Sequence, residues 1–136
     1  MTEADPGRVV IRFVNEINRH DVSALVTMMA SDFRFIDSLG QEVLGPERMR
    51  TAWVSYFELF PDYQISIRHH ISQGQLVALF GTASGTLAER GELLHRNHWT
   101  LPAAWRAVVR EGRVVDWQVY ADNTPVQKLL DSGNRG

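Results

Sequence analysis

The chain has 136 residues, 14 Lys and Arg against 16 Asp and Glu, and no cysteine, so a disulfide framework, a thiolate metal site and a cysteine nucleophile are all excluded. That length makes a single domain, residues 1–136 with its core at about 9–130, able to bury about two-thirds of its unfolded surface. Dispersed charge argues against a nucleic-acid platform, and an acidic, polar start (MTEADPGRVV) without any stretch of membrane-span length points to a cytoplasmic protein that does not enter a membrane.

From Pro6 to about His20, Val10, Phe13, Val14 and Ile17 recur at i, i+3, i+4 and i+7, the stripe of an amphipathic helix with proline near its start. Asp21 suits the N-cap of a second helix, Val22 to Ala30. Phe33 to Asp37 then alternates, so a short strand delivers the Asp37 carboxylate on the same side as Phe33 and Phe35. Asp37 also has an ordinary role open to it, because Asp often starts a turn by bonding the backbone two residues on. Gly45-Pro46 opens a third helix to about Phe60, with Met49, Trp53, Tyr56, Phe57 and Phe60 on one face. Such a stripe is normally core; on a concave sheet it lines a cavity instead.

Tyr63 to Ser72 and Gln75 to Leu87 read as a hairpin around Gln73-Gly74, pairing Ile71 with Leu76, His69 with Ala78 and Ile67 with Phe80. That register puts His69 on a face with Ile65, Ile67, Ile71 and Phe80, where it is either a satisfied core histidine or a site residue. Ala88 to Gly91 is a turn, and a strand follows from Leu93 to Leu101, carrying His98, until Pro102 interrupts it. Ala103 to Asp122 forms a second hairpin about Glu111-Gly112, since Gly accepts the positive φ of a two-residue turn. Regular pairing sets Val108 opposite Val115, Arg106 opposite Trp117 and Trp105 opposite Gln118. One face then carries Ala104, Arg106, Val108, Val115, Trp117 and Val119; the other carries Trp105, Ala107, Val109, Asp116, Gln118, Tyr120 and Asp122. Rings beside Gln118 and Asp122 suit a ligand pocket with a polar end, and equally a sheet face turned to water. A bulge anywhere in the hairpin swaps the faces beyond it. Val126, Leu129 and Leu130 close the chain in a short helix or turn.

The five histidines do not fall at HExxH spacing, and no phosphate-loop glycine pattern or Gly-x-Ser-x-Gly elbow is present, so no metal and no cofactor are expected. Helix, helix, short strand, helix and then a meander of strands make an α+β protein. In that order the stretches RFVNEINRHDVSALVTMMASDFRFIDSLG, GPERMRTAWVSYFELFPDYQ and REGRVVDWQVYAD resemble the SnoaL-like polyketide cyclases and ketosteroid isomerases of the nuclear transport factor 2-like superfamily.

The resemblance implies a cystatin-like conical barrel, a curved and mostly antiparallel sheet wrapped around three N-terminal helices with a pocket at its open end. It also implies a homodimer through the outer sheet face, here Arg106, Val108, Trp117 and Val119. Asp37 stands where the isomerases keep their proton-shuttling carboxylate, and Asp122 near the acid/base carboxylate of the cyclases. Phe13 occupies the place of the isomerases' first-helix tyrosine, and Ala104 or Trp105 that of their second donor, which argues against steroid isomerisation.

The catalytic candidates are therefore Asp37 and Asp122. The ligand-binding candidates are Phe13, Trp53, Phe57, His69, His98, Trp105, Gln118 and Tyr120. An apolar cavity raises the pKa of a carboxylate that faces it, which suits proton abstraction α to a carbonyl of a small hydrophobic substrate. The alternatives are a ligand-binding or dimerisation module without catalysis, and a structural dimer whose pocket is filled by its own rings.

Overall fold

The computed structural model describes residues 5–133. Its elements run α1 (Pro6–Asn18), α2 (Val22–Thr27), β1 (Met29–Ile36), β2 (Glu42–Leu44), α3 (Pro46–Leu59), β3 (Gln64–Gln73), β4 (Leu76–Glu89), β5 (Glu92–Arg110), β6 (Arg113–Tyr120) and α4 (Thr124–Gly133). The six strands form one curved sheet in the order β2-β1-β6-β5-β4-β3, antiparallel except where β1 runs parallel to β6, and not closed into a barrel. Curvature follows from length. A straight strand of 19 residues, the size of β5, would reach about 60 Å, far beyond a compact domain of this size with a radius of gyration near 14 Å.

Local chemistry sets the helix ends. Asp5 accepts from the Arg8 amide at 3.2 Å ahead of Pro6, and Asp21 accepts from the Ala24 amide at 3.0 Å, each satisfying an otherwise orphaned donor. The second helix stops three residues short of the sequence expectation because Met29 and Ala30 join β1, pairing at Val114 of β6. The stripe of α1 is buried as expected, with Val10, Phe13 and Ile17 fully enclosed against the sheet. Pro102 does not interrupt β5. It pairs with Thr82 on β4, while β6 reaches only to Ala104, so the missing amide falls where β5 has no second neighbour.

Two irregularities decide which way side chains face. Glu111 (φ 53°) and Gly112 (φ 74°) make the expected two-residue turn with Arg110 opposite Arg113, but Val109 then pairs Val114 and Val108 pairs Asp116. Val115 is the extra residue of a bulge, and beyond it the two faces of β6 exchange. Trp117 and Val119 therefore join Trp105, Ala107 and Val109 inside, and Asp116, Gln118 and Tyr120 join Ala104, Arg106 and Val108 outside. On the other edge the turn falls at Gly74-Gln75, pairing Gln73 with Leu76, and a second bulge at Arg68 separates the pair Ile67–Gly81 from the pair His69–Phe80. His69, Ile71 and Phe80 consequently lie outside and exposed, whereas Ile65 is buried within.

Candidate functional site

The inner face of the sheet and the aromatic face of α3 do not meet everywhere. Between them a cavity of about 270 Å³ remains, bounded by Met49, Trp53 and Tyr56 of α3, Tyr63, Phe35 of β1, Ala83 of β4, Trp99, Leu101, Ala103 and Trp105 of β5, and Trp117 and Val119 of β6. Alanines where strands face the helix leave the space that larger side chains would fill. Asp37, Ser38 and Asn123 contribute the polar end, beside Leu39. Among the described lining residues Asp37 is the one charged group.

Asp37 follows directly on β1 and lies on the cavity beside Phe35, the side its alternation with the two phenylalanines predicts. Its Oδ1 also accepts from the amides of Leu39 and Gln41, each at 2.9 Å, so the turn role is real as well. These bonds fix the carboxylate in place through one oxygen. Oδ2 has no hydrogen-bond partner among the described residues and is the atom left for a ligand.

Opposite Asp37 in the sheet order, the wall is a belt of four rings. Trp53 meets Tyr56 edge-on at 6.2 Å between centroids, Tyr56 meets Tyr63 edge-on at 5.0 Å, and Tyr63 lies 6.1 Å from Trp99. Trp53 and Trp99 bury indole N–H groups that have no acceptor. Burial pushes the Tyr56 phenol well up from its ordinary pKa, and burial together with the nearby Tyr56 does the same to Tyr63, so both remain protonated donors. The belt is held from behind. His20, at the left-handed φ of 56° that closes α1, stacks on Phe57 at 4.0 Å and 7°, Phe57 stacks on Trp53 at 5.0 Å, and His20 Nε2 bonds the Tyr63 carbonyl at 2.8 Å. Asn18 grips both polar groups of the Ile65 backbone, at 2.7 and 2.9 Å.

Of the ten residues singled out in the sequence, Asp37, Trp53 and Trp105 line the cavity. Asp122 does not. It lies at the surface two residues ahead of α4, its Oδ1 accepting from the Thr124 hydroxyl at 2.6 Å and amide at 3.0 Å, and those bonds lower its pKa instead of raising it. Gln118 and Tyr120 were expected inside and are turned outward by the Val115 bulge; Trp117 and Val119, expected on the outer face, are turned in. Phe13 is fully buried one layer beneath the wall, against Phe33 and Trp117, and Phe57 supports Trp53 from the far side. His69 is on the outer face through the Arg68 bulge. His98 is likewise outside. Thr86 Oγ1 donates its single proton to Asp62 Oδ2 at 2.7 Å, so His98 Nδ1, 2.9 Å from the same oxygen, must be the donor in that contact.

Tyr56, Tyr63, Trp99 and Trp117 were not selected from the sequence. Tyr56 carries a legible signal, three residues after Trp53 on the same helical face. Tyr63 and Trp99 carry none, because they meet only through the crossing of three separate elements. No cluster of three or more His, Asp or Glu able to hold a metal exists among the described residues, and no helix is long and apolar enough to cross a membrane.

A family model described as the SnoaL-like domain matches residues 10–117. Among solved structures, a protein assigned as a SnoaL-like polyketide cyclase from Shewanella denitrificans OS-217 superposes with a TM-score of 0.80 at 15% identity, covering 93% of this chain and 97% of that one. IdmH, assigned as a polyketide cyclase of Streptomyces antibioticus, gives 0.76 at 20% identity, covering 94% and 99%. A protein of ketosteroid isomerase-like fold from Catenulispora acidiphila DSM 44928, solved with trimethylamine, gives 0.71 at 18% identity, covering 82% and 83%. No curated protein matches the chain in sequence. At these identities the superpositions establish the α+β fold with its curved sheet.

Proposed function

Because the chain belongs to the family of SnoaL-like domains, we propose that it binds a small hydrophobic carbonyl compound in the sheet–helix cavity and that Asp37 moves a proton on it. The observation that carries this is a single carboxylate among the described lining residues, anchored by two turn amides at the polar end of a cavity lined mainly by rings and aliphatic groups. Oδ2 of Asp37 takes the proton from the carbon α to the carbonyl and the C–H electron pair passes into the enolate; in the isomerase-type step the proton returns to carbon at the same or a conjugated position, and in the cyclase-type step the enolate carbon bonds to a second carbonyl carbon of the ligand, whose C=O π pair becomes an alkoxide that takes the proton back. The step uses no metal. The chain's own contribution is to hold the carbonyl compound against Asp37 and to keep water from the enolate.

Phe13 favours a second reading, a ligand-binding module without turnover, since the first-helix donor of the isomerases is here an enclosed phenyl ring. Hydrogen–deuterium exchange at the α-carbon of 2-tetralone in D2O, followed by proton NMR, separates the two. Proton transfer by Asp37 predicts faster exchange with the wild-type protein than without it, and a return to the uncatalysed rate in Asp37→Asn. Equal rates in the two proteins, with 2-tetralone still bound, would leave the module.

This reading takes the protein to be cytoplasmic and a homodimer through the outer sheet face. The bulge revises that face. It consists of the cross-strand rows His69–Phe80–Ala104–Tyr120 and Ile71–Ala78–Arg106–Gln118, with Ile71, Phe80 and Tyr120 exposed. A sedimentation mass of one chain would remove the dimer.

A further inference from the structure

We propose that Tyr56 and Tyr63 are the ligand-orienting residues of the cavity, their two hydroxyls donating to one carbonyl oxygen of a neutral, ring-bearing ligand. The inference rests on the reading of the cavity as a ligand site and assigns the chemistry of its far wall.

Three observations support it. Both residues line the cavity, their rings meet edge-on at 5.0 Å, and neither hydroxyl bonds another described residue or is sealed from the cavity as the Trp53 and Trp99 indole N–H groups are. A phenol that reaches open space without a protein acceptor is free to donate to an oxygen bound there. The indole N–H groups of Trp53 and Trp99, on the same belt, are also without acceptors. The wall therefore offers two phenol donors to an oxygen in the cavity.

Charge narrows the ligand further. Among the described residues no lysine, arginine or histidine lines the cavity, and Asp37 is its one charged group. A carboxylate or phosphate would be desolvated beside Asp37 with no cation to compensate, a poor exchange. A ketone or quinone-type carbonyl accepts from two phenols without bringing charge. Burial keeps both phenols protonated through the physiological range, so the donors are present at every working pH.

The positions are also fixed before a ligand arrives. Tyr56 is in the last turn of α3, and Tyr63 is held by the bond from its carbonyl to His20 Nε2 at 2.8 Å and by its amide bond to the Phe60 carbonyl at 3.0 Å. In the sheet, β6, β5 and β4 separate β1 from β3. Asp37 and Tyr63 thus approach the ligand from opposite flanks, and a molecule that meets both presents its oxygen and its acidic carbon to different walls.

The test uses two probes of nearly equal shape, 2-acetylnaphthalene and 2-ethylnaphthalene, which differ in the carbonyl oxygen. Binding is read by titration calorimetry with wild type, Tyr56→Phe and Tyr63→Phe. The expected result is tighter binding of the ketone by wild type, a loss of 5- to 20-fold in ketone affinity in each variant, and less than 2-fold change for the hydrocarbon. The carbon-13 resonance of a carbonyl-labelled ketone should move downfield on binding to wild type, a shift that does not depend on how the variants fold. Equal losses for both probes, or an unshifted carbonyl resonance, would overturn the assignment while leaving the cavity and Asp37 in place. Binding of neither probe by wild type would overturn the cavity reading and this inference together.

Discussion

Ala103→Leu should stabilise the protein and abolish ligand binding, whereas the same change at Ala107 should destabilise it. Both alanines lie on the inner face of β5, four residues apart. Ala103 borders the cavity, opposite Gly81, while Ala107 is fully enclosed between Val77 and Trp117. Leucine at 103 adds three carbons to a space of about 270 Å³. At about 0.8 kcal/mol for each buried carbon the gain is about 2.4 kcal/mol. Fixing the leucine rotamer costs about 0.5–1 kcal/mol, leaving a net gain of roughly 1.5 kcal/mol. In a domain of this size that corresponds to a rise in Tm of about 5 °C. Leucine at 107 meets filled space, and overpacking costs about 1–3 kcal/mol. Urea denaturation followed by tryptophan fluorescence measures both, and titration with 2-acetylnaphthalene reports the cavity. If Ala103→Leu lowers the urea midpoint as much as Ala107→Leu does, the space between α3 and the sheet is closed in solution and the functional argument fails with it.

Gly81→Ala should cost about 3 kcal/mol, because a Cβ there would lie 1.8 Å from the Ser66 carbonyl oxygen, a backbone atom that cannot turn aside; an urea midpoint within error of wild type would show that β3 and β4 are not paired this way. Asp122→Ala should lower Tm at neutral pH and make no difference in strong acid. The folded Asp122 carboxyl has a lowered pKa, so the unfolded chain binds its proton more readily. Its contribution is present above the ordinary aspartate range and is lost as pH falls through the folded value. Melting curves of the two proteins between pH 7 and pH 2 check this, and a gap that persists unchanged at pH 2 would contradict a stabilising role for the bonds to Thr124.

Periodicity and turn chemistry determined α1, the aromatic face of α3, the Glu111-Gly112 turn and the α+β order, because each depends on residues close together in the chain. The same local alternation placed Asp37 beside Phe35, and the side-chain preference of aspartate announced its turn. What sequence did not carry was the facing of the last hairpin. One extra residue, Val115, reversed it, exchanging Gln118 and Tyr120 for Trp117 and Val119, and nothing in a run of valines marks which one is looped out. The bulge at Arg68 did the same to His69. Asp122 was misjudged for a related reason, since a carboxylate two residues before Thr124 serves a local turn or a pocket according to where the strand ends. The joining of Trp53 and Tyr56 with Tyr63 and Trp99 into one belt belongs to tertiary structure. Its members come from a helix, a loop and a strand, and only the bending of a sheet too long to lie flat brings their rings together around a space.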